Sequence, residues 1–297
     1  MIQRILVGLD EGDLAAVAVD VAVDLARTLE ARVEFLHAVP GFWGWTALTE
    51  PFSTKLEVTL LEDARRDRLQ FLEDRLGPHG FDRGRLEEDT IVTLERPAEA
   101  LVHRAHEPGC DLIVLGSHGA PTVFDFGNTA RAVLAASPCP VWIQRSAAKP
   151  IQNVLAPIHN LQENQHSLSV ARDLARALGA KLTVLHSFVA PGFTYPPQAI
   201  SAALPDASLI QELRDSERAE FQQATASFDF GGVPVDFVFE EGRPAERILE
   251  REDADLIVMG TQTQSRFVKA VLGSESFAVL KEAQVPVLVC PSDGADE

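Results

Sequence analysis

The chain has 297 residues, of which 46% are hydrophobic. This length suits two domains of about 150 residues, each large enough to bury its own core. The 26 Lys and Arg residues are outnumbered by 44 Asp and Glu residues, which gives a formal net charge of −18 at pH 7. So acidic a surface repels nucleic-acid backbones and anionic membranes, and we expect neither as a partner. No apolar run approaches the roughly 18 residues of a membrane span.

Short β-branched runs alternate with stretches of helical periodicity along the first half of the chain. In chain order the predicted elements are a strand at 5–9, a helix on which Leu14, Ala18, Val21, Leu25 and Leu29 recur, a strand at 33–37, a polar helix at about 54–76, a strand near Ile91, a helix after Pro97, a strand within 111–116, a helix after Gly127 and a strand at 141–143. Strands separated by helices imply right-handed crossovers and a parallel sheet covered on both faces. We therefore predict an α/β fold.

The second half of the chain repeats the first. Residues 4–37 align with residues 153–186 without a gap, and this alignment pairs His37 with His186. An Arg-Pro-Ala-Glu segment and an Asp-Leu-Ile-Val run later in the first half also recur in the second. Because the period is a whole domain, the pattern indicates duplication and not a solenoid. The predicted domains are residues 1–146 and residues 151–292.

The three cysteines are far apart along the chain, and each lies in or beside an apolar run: Cys110, Cys139 and Cys290. We interpret them as buried thiols and not as a disulfide framework or a set of metal ligands, which fits a reducing compartment. The sequence passes from Met1 almost directly into the strand at 5–9, without the charged and apolar regions of a secretory signal. We therefore expect a cytoplasmic protein.

Two stretches of the first copy follow strands at the edge where parallel sheets bind ligands. In open, doubly wound sheets, ligands lie beyond the carboxyl ends of the strands, where the strand order reverses. Asp10 follows the first strand, Gly116-Ser117-His118-Gly119 follows the fourth, and Gly127-Asn128-Thr129 opens the next helix. Glycine loops and helix N-termini present N–H donors to phosphate, and an aspartate accepts hydrogen bonds from ribose hydroxyls. On their own, the glycines are also typical of turns, and Asp10 of a helix cap.

The order of elements, the aspartate after the first strand and the glycine loop after the fourth resemble the universal stress protein family in its tandem two-domain form. The resemblance covers essentially the whole chain. It implies two Rossmann-like domains of the adenine nucleotide alpha hydrolase type, each a five-stranded parallel sheet of strand order 3-2-1-4-5 with helices on both faces. It also implies that the last strands of the two copies pair about a pseudo-twofold axis as an intrachain pseudo-dimer. A further homodimer is left open.

One branch of that family binds ATP or related nucleotides through the loop and the aspartate, and other members lack the loop. The resemblance therefore implies ATP or another adenine nucleotide as ligand of the first copy, with Mg²⁺ only in company with the nucleotide. The spacer at 120–126 is shorter than in the family, and an asparagine replaces the usual Ser or Thr, although its amide can still cap a helix. The residues assigned to the nucleotide are Asp10, Ala38, Gly116, His118, Gly119, Gly127, Asn128 and Thr129.

The second copy departs further from the family pattern. Thr263 stands at the second glycine, where a β-branched residue resists positive φ, and His159 replaces the aspartate with an imidazole that offers a single acceptor. What remains is a degenerate site at Gly260, Gly273 and Ser274, suited at most to an anion. If one copy binds nucleotide, we expect the first.

Other sequence features have plainer interpretations. His37 and His186 end equivalent strands and are interpreted as packing or hydrogen-bonding locally. The aromatic loops at 40–45 and 191–197 are interpreted as core cover or an interface, or as a lid over an apolar ligand. The polar helices at 54–76 and 208–227 are predicted to be solvated.

The sequence contains no Ser-His-Asp set, HExxH motif, Walker lysine or metal-ligand cluster, and we predict no enzyme, with slow ATPase activity left open. Two hypotheses follow. The first is a stress-response module that binds ATP or a related adenine nucleotide, mainly in the first domain. The second is an interaction or structural module without nucleotide, which holds an apolar ligand.

Overall fold

The computed structural model describes residues 2–10, 12–39, 50–107, 109–117, 127–190, 207–261 and 273–291, without the side chains of 50–55 and 161–162. The chain divides into two compact units, residues 1–148 (unit 1) and residues 149–297 (unit 2). No helix in these described ranges has the length and apolar character needed to cross a bilayer.

Unit 1 alternates strands and helices. Its described elements are β1 (Arg4–Leu9), α1 (Asp13–Leu29), β2 (Arg32–Ala38), α2 (Glu50–Leu76), α3 (Arg83–Asp89), β3 (Thr90–Thr93), α4 (Pro97–Ala105), β4 (Leu112–Gly116), α5 (Asn128–Ala136) and β5 (Val141–Gln144), with a 3-10 turn at Gly77–His79 between α2 and α3. Neighbouring strands follow the order β3-β2-β1-β4-β5, and every pair is parallel.

The core of unit 1 lies on both faces of its sheet. Phe35 and Trp142 are fully buried, as expected for a parallel sheet whose two faces are covered by helices. Helix α1 packs on β1 and β4 through a stripe of small buried residues, which allows a close approach of helix and strand. The members of that stripe are Ala15, Ala18, Val19, Ala22 and Val23.

Unit 2 repeats this plan. Its described elements are β6 (Asn153–Pro157), α6 (Leu161–Leu178), β7 (Lys181–Phe188), α7 (Ala207–Ser227), β8 (Val235–Glu241), α8 (Pro244–Leu249), β9 (Leu256–Gly260), α9 (Ser274–Glu282) and β10 (Val287–Cys290). Its strands follow the order β8-β7-β6-β9-β10, again with parallel pairing.

The predicted α/β class, with parallel strands covered by helices, is confirmed. One helix was not predicted: α3 begins where the Asp82 carboxylate accepts a hydrogen bond from the N–H of Arg85 at 2.9 Å. The side chain of Asp82 thus caps a helix too short to show a clear apolar periodicity.

Candidate functional site

A cavity of about 400 Å³ opens in unit 1 beyond the carboxyl ends of β1, β2 and β4. Its volume falls within the range of small-molecule sites, roughly 300–1,000 Å³. Six of the eight residues predicted to contact nucleotide line it: Asp10, Ala38, Gly116, Gly127, Asn128 and Thr129. The other two, His118 and Gly119, lie outside the described residues.

The topology of unit 1 explains why a cavity forms at this point. Strand β1 pairs with β2 on one side and with β4 on the other. The chain leaves β1 towards β2 and leaves β4 towards β5, so the connections that follow β1 and β4 run in opposite directions. The crevice between them is the switch point of a doubly wound sheet. Residues that follow β1 and β4 therefore face each other across it.

Asp10 organises the turn that leads from β1 into α1. Its Oδ1 accepts a hydrogen bond from the N–H of Gly12 at 2.8 Å, the geometry of an Asx turn. The N-cap of α1 is Gly12, which has an extended conformation. The interpretation of Asp10 as a helix cap is therefore wrong, because its side chain binds the residue at the cap position. This turn holds the Asp10 side chain at the cavity wall.

Gly116 is explained by packing. A Cβ added there would lie 2.5 Å from the backbone carbon of Leu14 and 2.6 Å from the nitrogen of Ala15. Both atoms belong to α1, which could not stay against β4 if position 116 carried a side chain. The glycine thus permits a close helix-to-strand approach at the cavity, whatever the ligand.

Gly127 has a backbone conformation that favours glycine, with φ +79° and ψ 151°. It is the N-cap of α5, and no side chain caps that helix end. The expectation that Asn128 caps the helix is wrong, since Asn128 is already the first helical residue. The first turn of α5, from Asn128 to Ala130, lines the cavity with the positive end of the helix dipole.

His37 adds a polar group to the cavity wall. The sequence predicted for this histidine only packing or a local hydrogen bond. Its Nδ1 lies 3.0 Å from the carbonyl oxygen of Leu9, and a carbonyl only accepts, so Nδ1 carries the proton. The expected local hydrogen bond is therefore confirmed. In the neutral ring the second nitrogen, Nε2, is an acceptor, and no partner for it lies among the described residues.

Unit 2 closes the equivalent position with its own side chains. His186 Nδ1 donates to the carbonyl of Ile158 at 3.0 Å, and its Nε2 lies 2.6 Å from Oε1 of Glu217 on α7. The His159 ring, which stands where unit 1 has Asp10, stacks at 6.3 Å from the His186 ring. Phe221 and Phe239 pack on the same imidazole at 5.5 and 5.3 Å between ring centroids.

The glycines of unit 2 are under weaker constraint than those of unit 1. A Cβ at Gly260 would first meet the side-chain nitrogen of Asn164 at 3.3 Å, and its three nearest neighbours are all side-chain atoms. Gly273, the N-cap of α9, has φ −60° and ψ 159°, which any residue adopts. Ser274 opens the helix, and Thr263 lies outside the described residues.

The universal stress protein family model matches residues 1–145 and 150–291. The chain belongs to the universal stress protein family. The two matches fall one on each unit, as the tandem form predicted from the sequence requires.

Individual relatives agree with this assignment. A universal stress protein of Thermus aquaticus is 36% identical over 128 residues, which is 42% of this chain and 88% of that protein. One from Mycolicibacterium smegmatis is 25% identical over 299 residues, 96% of both chains. The solved structure of PA1789 from Pseudomonas aeruginosa, a protein described as functionally unknown, has a TM-score of 0.67 and 19% identity and covers 98% of this chain and 93% of its own. That likeness shows the fold.

Apolar residues of this universal stress protein complete the cavity wall, and sequence reasoning placed them only in strands and helices. They come from the strand ends and from α4: Leu9, Leu36, Pro97, Leu101 and Leu115. One signal was available. Gly8 lies inside β1, and a Cβ there would approach Leu115 Cδ2 to 2.6 Å, the kind of close approach that a glycine inside a strand often marks.

Proposed function

We propose that this stress-response protein binds ATP or a related adenine nucleotide in the cavity of unit 1. The observation that carries the proposal is the convergence of Asp10, Ala38 and the uncapped start of α5 on one cavity at the switch point of the sheet. These groups are far apart in sequence and differ in chemistry, and a nucleotide has a matching part for each.

Each part of the nucleotide has a counterpart in the wall. The apolar surface made by Leu36, Ala38 and Leu101 suits the flat face of a purine. The Asp10 carboxylate accepts hydrogen bonds from ribose hydroxyls. The N–H groups of the first turn of α5 and the side chains of Asn128 and Thr129 donate to phosphate oxygens.

Mg²⁺ enters this proposal only as a counter-ion of the bound phosphates. Within the described ranges, no group of three or more His, Cys, Asp or Glu side chains is arranged to hold a metal by itself. The geometry assigns no group to activate water, and we propose binding without a defined enzymatic activity.

Unit 2 supports the restriction of nucleotide to unit 1. In unit 2 the Glu217 carboxylate contacts Nε2 of His186, whereas Nε2 of the equivalent His37 in unit 1 has no partner among the described residues and stays available to a ligand. In unit 1, Arg68 of α2 reaches the end of β1, where its Nη1 donates to the carbonyl of Asp10 at 3.4 Å.

The test is titration of ATP, AMP and cyclic AMP into the purified chain by calorimetry, with native mass spectrometry to count bound molecules. We expect one nucleotide per chain. Asp10→Asn keeps the Asx turn, because the amide oxygen still accepts from Gly12, but loses charge-assisted bonds to ribose, so affinity should fall about tenfold or more. The matched change in unit 2, His159→Asn, should leave affinity unchanged. No binding by the parent chain, or equal binding by Asp10→Asn, would overturn the proposal.

A second candidate function is an interaction module that holds an apolar molecule in place of nucleotide. It is favoured by the apolar residues of the wall. The aromatic loops at 40–45 and 191–197, on which that hypothesis also drew, lie outside the described residues. A chain that ATP does not stabilise against heat, and that releases an apolar compound on organic extraction, would support this candidate over the first.

We further infer that each unit is a Rossmann-like domain of the adenine nucleotide alpha hydrolase type. The parallel strand orders β3-β2-β1-β4-β5 and β8-β7-β6-β9-β10 support this description. The intrachain pseudo-dimer implied by the resemblance stays a prediction. A homodimer of the chain is an open alternative, which sedimentation equilibrium of the full chain tests directly.

A further inference from the structure

Two cysteines that are far apart along the chain meet in unit 1. The Sγ atoms of Cys110 and Cys139 lie 4.0 Å apart, although 29 positions separate them in sequence. Cys110 precedes β4 and Cys139 precedes β5, and these two strands pair in parallel with Ile113 opposite Val141. The amino ends of two neighbouring strands therefore lie side by side, and a cysteine lies two residues before each strand.

We propose that Cys110 and Cys139 are a peroxide-sensitive dithiol that closes to an intramolecular disulfide. Neither thiol is disulfide-bonded in the structure, nor is the third cysteine, Cys290. A disulfide has a sulfur–sulfur distance of about 2.05 Å, so the two Sγ atoms must approach by about 2 Å. In the proposal, rotation about χ1 of Cys110, the more exposed of the two cysteines, brings the sulfurs together.

The surroundings give the two sulfurs different roles. The contact with the Cys110 sulfur, and then the contact with the Ser137 hydroxyl oxygen at 3.7 Å, hold the pKa of Cys139 below its ordinary value. The same contact with Cys139, together with burial, raises the pKa of Cys110. In the proposal Cys139 supplies the thiolate, and Cys110, the more exposed of the two residues, is the thiol beside it.

The chemistry requires a hydroperoxide as oxidant. The Cys139 thiolate attacks the outer oxygen of the peroxide and breaks the O–O bond, which leaves a sulfenic acid and, after protonation, water or an alcohol. The Cys110 sulfur then loses its proton and attacks the sulfenic sulfur, expelling hydroxide that takes up that proton to form water. Two thiols and one hydrogen peroxide thus give one disulfide and two waters, and the peroxide receives two electrons.

The bond would close a loop that contains part of the candidate nucleotide site. Residues 111–138 lie between the two cysteines and include β4, α5 and the cavity residues Gly116, Gly127 and Asn128. The cysteines themselves lie at the amino ends of β4 and β5, while the cavity lies at the carboxyl ends. The disulfide therefore constrains the segment at its base and leaves the cavity wall unmodified, so the inference stands whether or not nucleotide binds.

The full chain is first reduced, freed of reductant and treated with one equivalent of hydrogen peroxide. It is then alkylated under denaturing conditions, so that buried thiols react, and digested without reductant for mass spectrometry. We expect a cross-linked peptide pair that joins Cys110 to Cys139 and disappears with dithiothreitol. Cys290, fully buried in unit 2, should be recovered alkylated and serves as the internal control.

Variants make the result decisive. Cys290→Ser should form the same cross-link, and Cys110→Ser should instead accumulate sulfenic or sulfinic acid on Cys139. The oxidised parent chain should melt at a higher temperature than the reduced chain, and the Cys110→Ser chain should show no such rise, because the rise comes from closing the loop. Recovery of Cys110 and Cys139 as separate alkylated or over-oxidised residues in the parent chain, or a cross-link to Cys290, would overturn the proposal.

Discussion

The Nε2 atom of His186 lies 2.6 Å from Oε1 of Glu217, in a contact that joins the end of β7 to α7. The His186 side chain is almost fully buried, whereas that of Glu217 is about one-third exposed. The other ring nitrogen donates to the carbonyl of Ile158, so Glu217 satisfies the last polar atom of a histidine packed among aromatic rings.

Glu217→Gln is expected to destabilise unit 2. The amide keeps a hydrogen-bonding atom near Nε2 but removes the charge, and the loss should be about 1 kcal/mol because the carboxylate is partly solvated. Urea unfolding followed by circular dichroism measures it. Glu220→Gln, at an exposed position of the same helix, is the control and should change stability by less than about 0.5 kcal/mol. Equal effects of the two changes would show that the contact contributes nothing specific.

Glu34→Gln is expected to destabilise unit 1 more strongly. Glu34 is buried on β2, where Oε2 accepts from Nη2 and Nε of Arg104 at 2.6 and 2.9 Å, and Arg4 lies 3.6 Å from Oε1. Removal of the charge leaves two guanidinium groups near an uncharged amide, at a cost of about 2–4 kcal/mol. Guanidinium chloride would screen this pair, so urea is the denaturant of choice.

The exposed pair between Arg96 and Glu99 is the matched control for Glu34. Its atoms are 3.4 Å apart, and both side chains are more than 60% exposed. Glu99→Gln should therefore cost less than about 0.5 kcal/mol in the same urea experiment. A Glu34→Gln chain as stable as the Glu99→Gln chain would contradict the prediction.

Gly116→Ala is expected to displace α1 from β4. The added methyl group would lie 2.5 Å from backbone atoms that cannot rotate away, and overpacking of this kind costs about 1–3 kcal/mol. Gly260→Ala is the matched change in unit 2, where the nearest atom is the side-chain nitrogen of Asn164 at 3.3 Å and the overlap is much smaller. Thermal melting of the two variants should show a much larger loss for position 116. A larger loss at position 260 would argue against helix packing as the role of Gly116.

The glycines illustrate what the sequence could predict about the site. The loop motif correctly indicated where Gly116 and Gly127 would lie, because residues that follow parallel strands meet at one edge of the sheet. It did not distinguish their roles, since only the packing of α1 on β4 explains Gly116 and only the φ of Gly127 explains that position. Both depend on distances between elements that no local pattern encodes.

Contacts between distant segments were also beyond prediction. The proximity of Cys110 and Cys139 depends on which strands are neighbours and on how far each thiol precedes its strand. The contact of Glu217 with His186 depends on the rotation of α7 about its axis, and α7 is polar enough that its periodicity fixes that rotation poorly. The fold class followed from alternation and duplication, which are properties of whole segments.

Gly127→Ala is expected to weaken nucleotide binding with a moderate loss of stability. Alanine at φ +79° and ψ 151° is strained by about 1–3 kcal/mol, and relaxation of that strain would turn the first N–H groups of α5 away from the cavity. Calorimetry should show ATP affinity reduced about tenfold or more, in the range of one or two lost phosphate contacts. Gly273→Ala is the control, because φ −60° at that helix cap accommodates alanine, and it should alter neither affinity nor melting temperature appreciably. An unchanged affinity in Gly127→Ala, with a melting temperature that confirms a folded unit 1, would remove the α5 N-terminus from the binding site and leave the apolar wall as the main feature of the cavity.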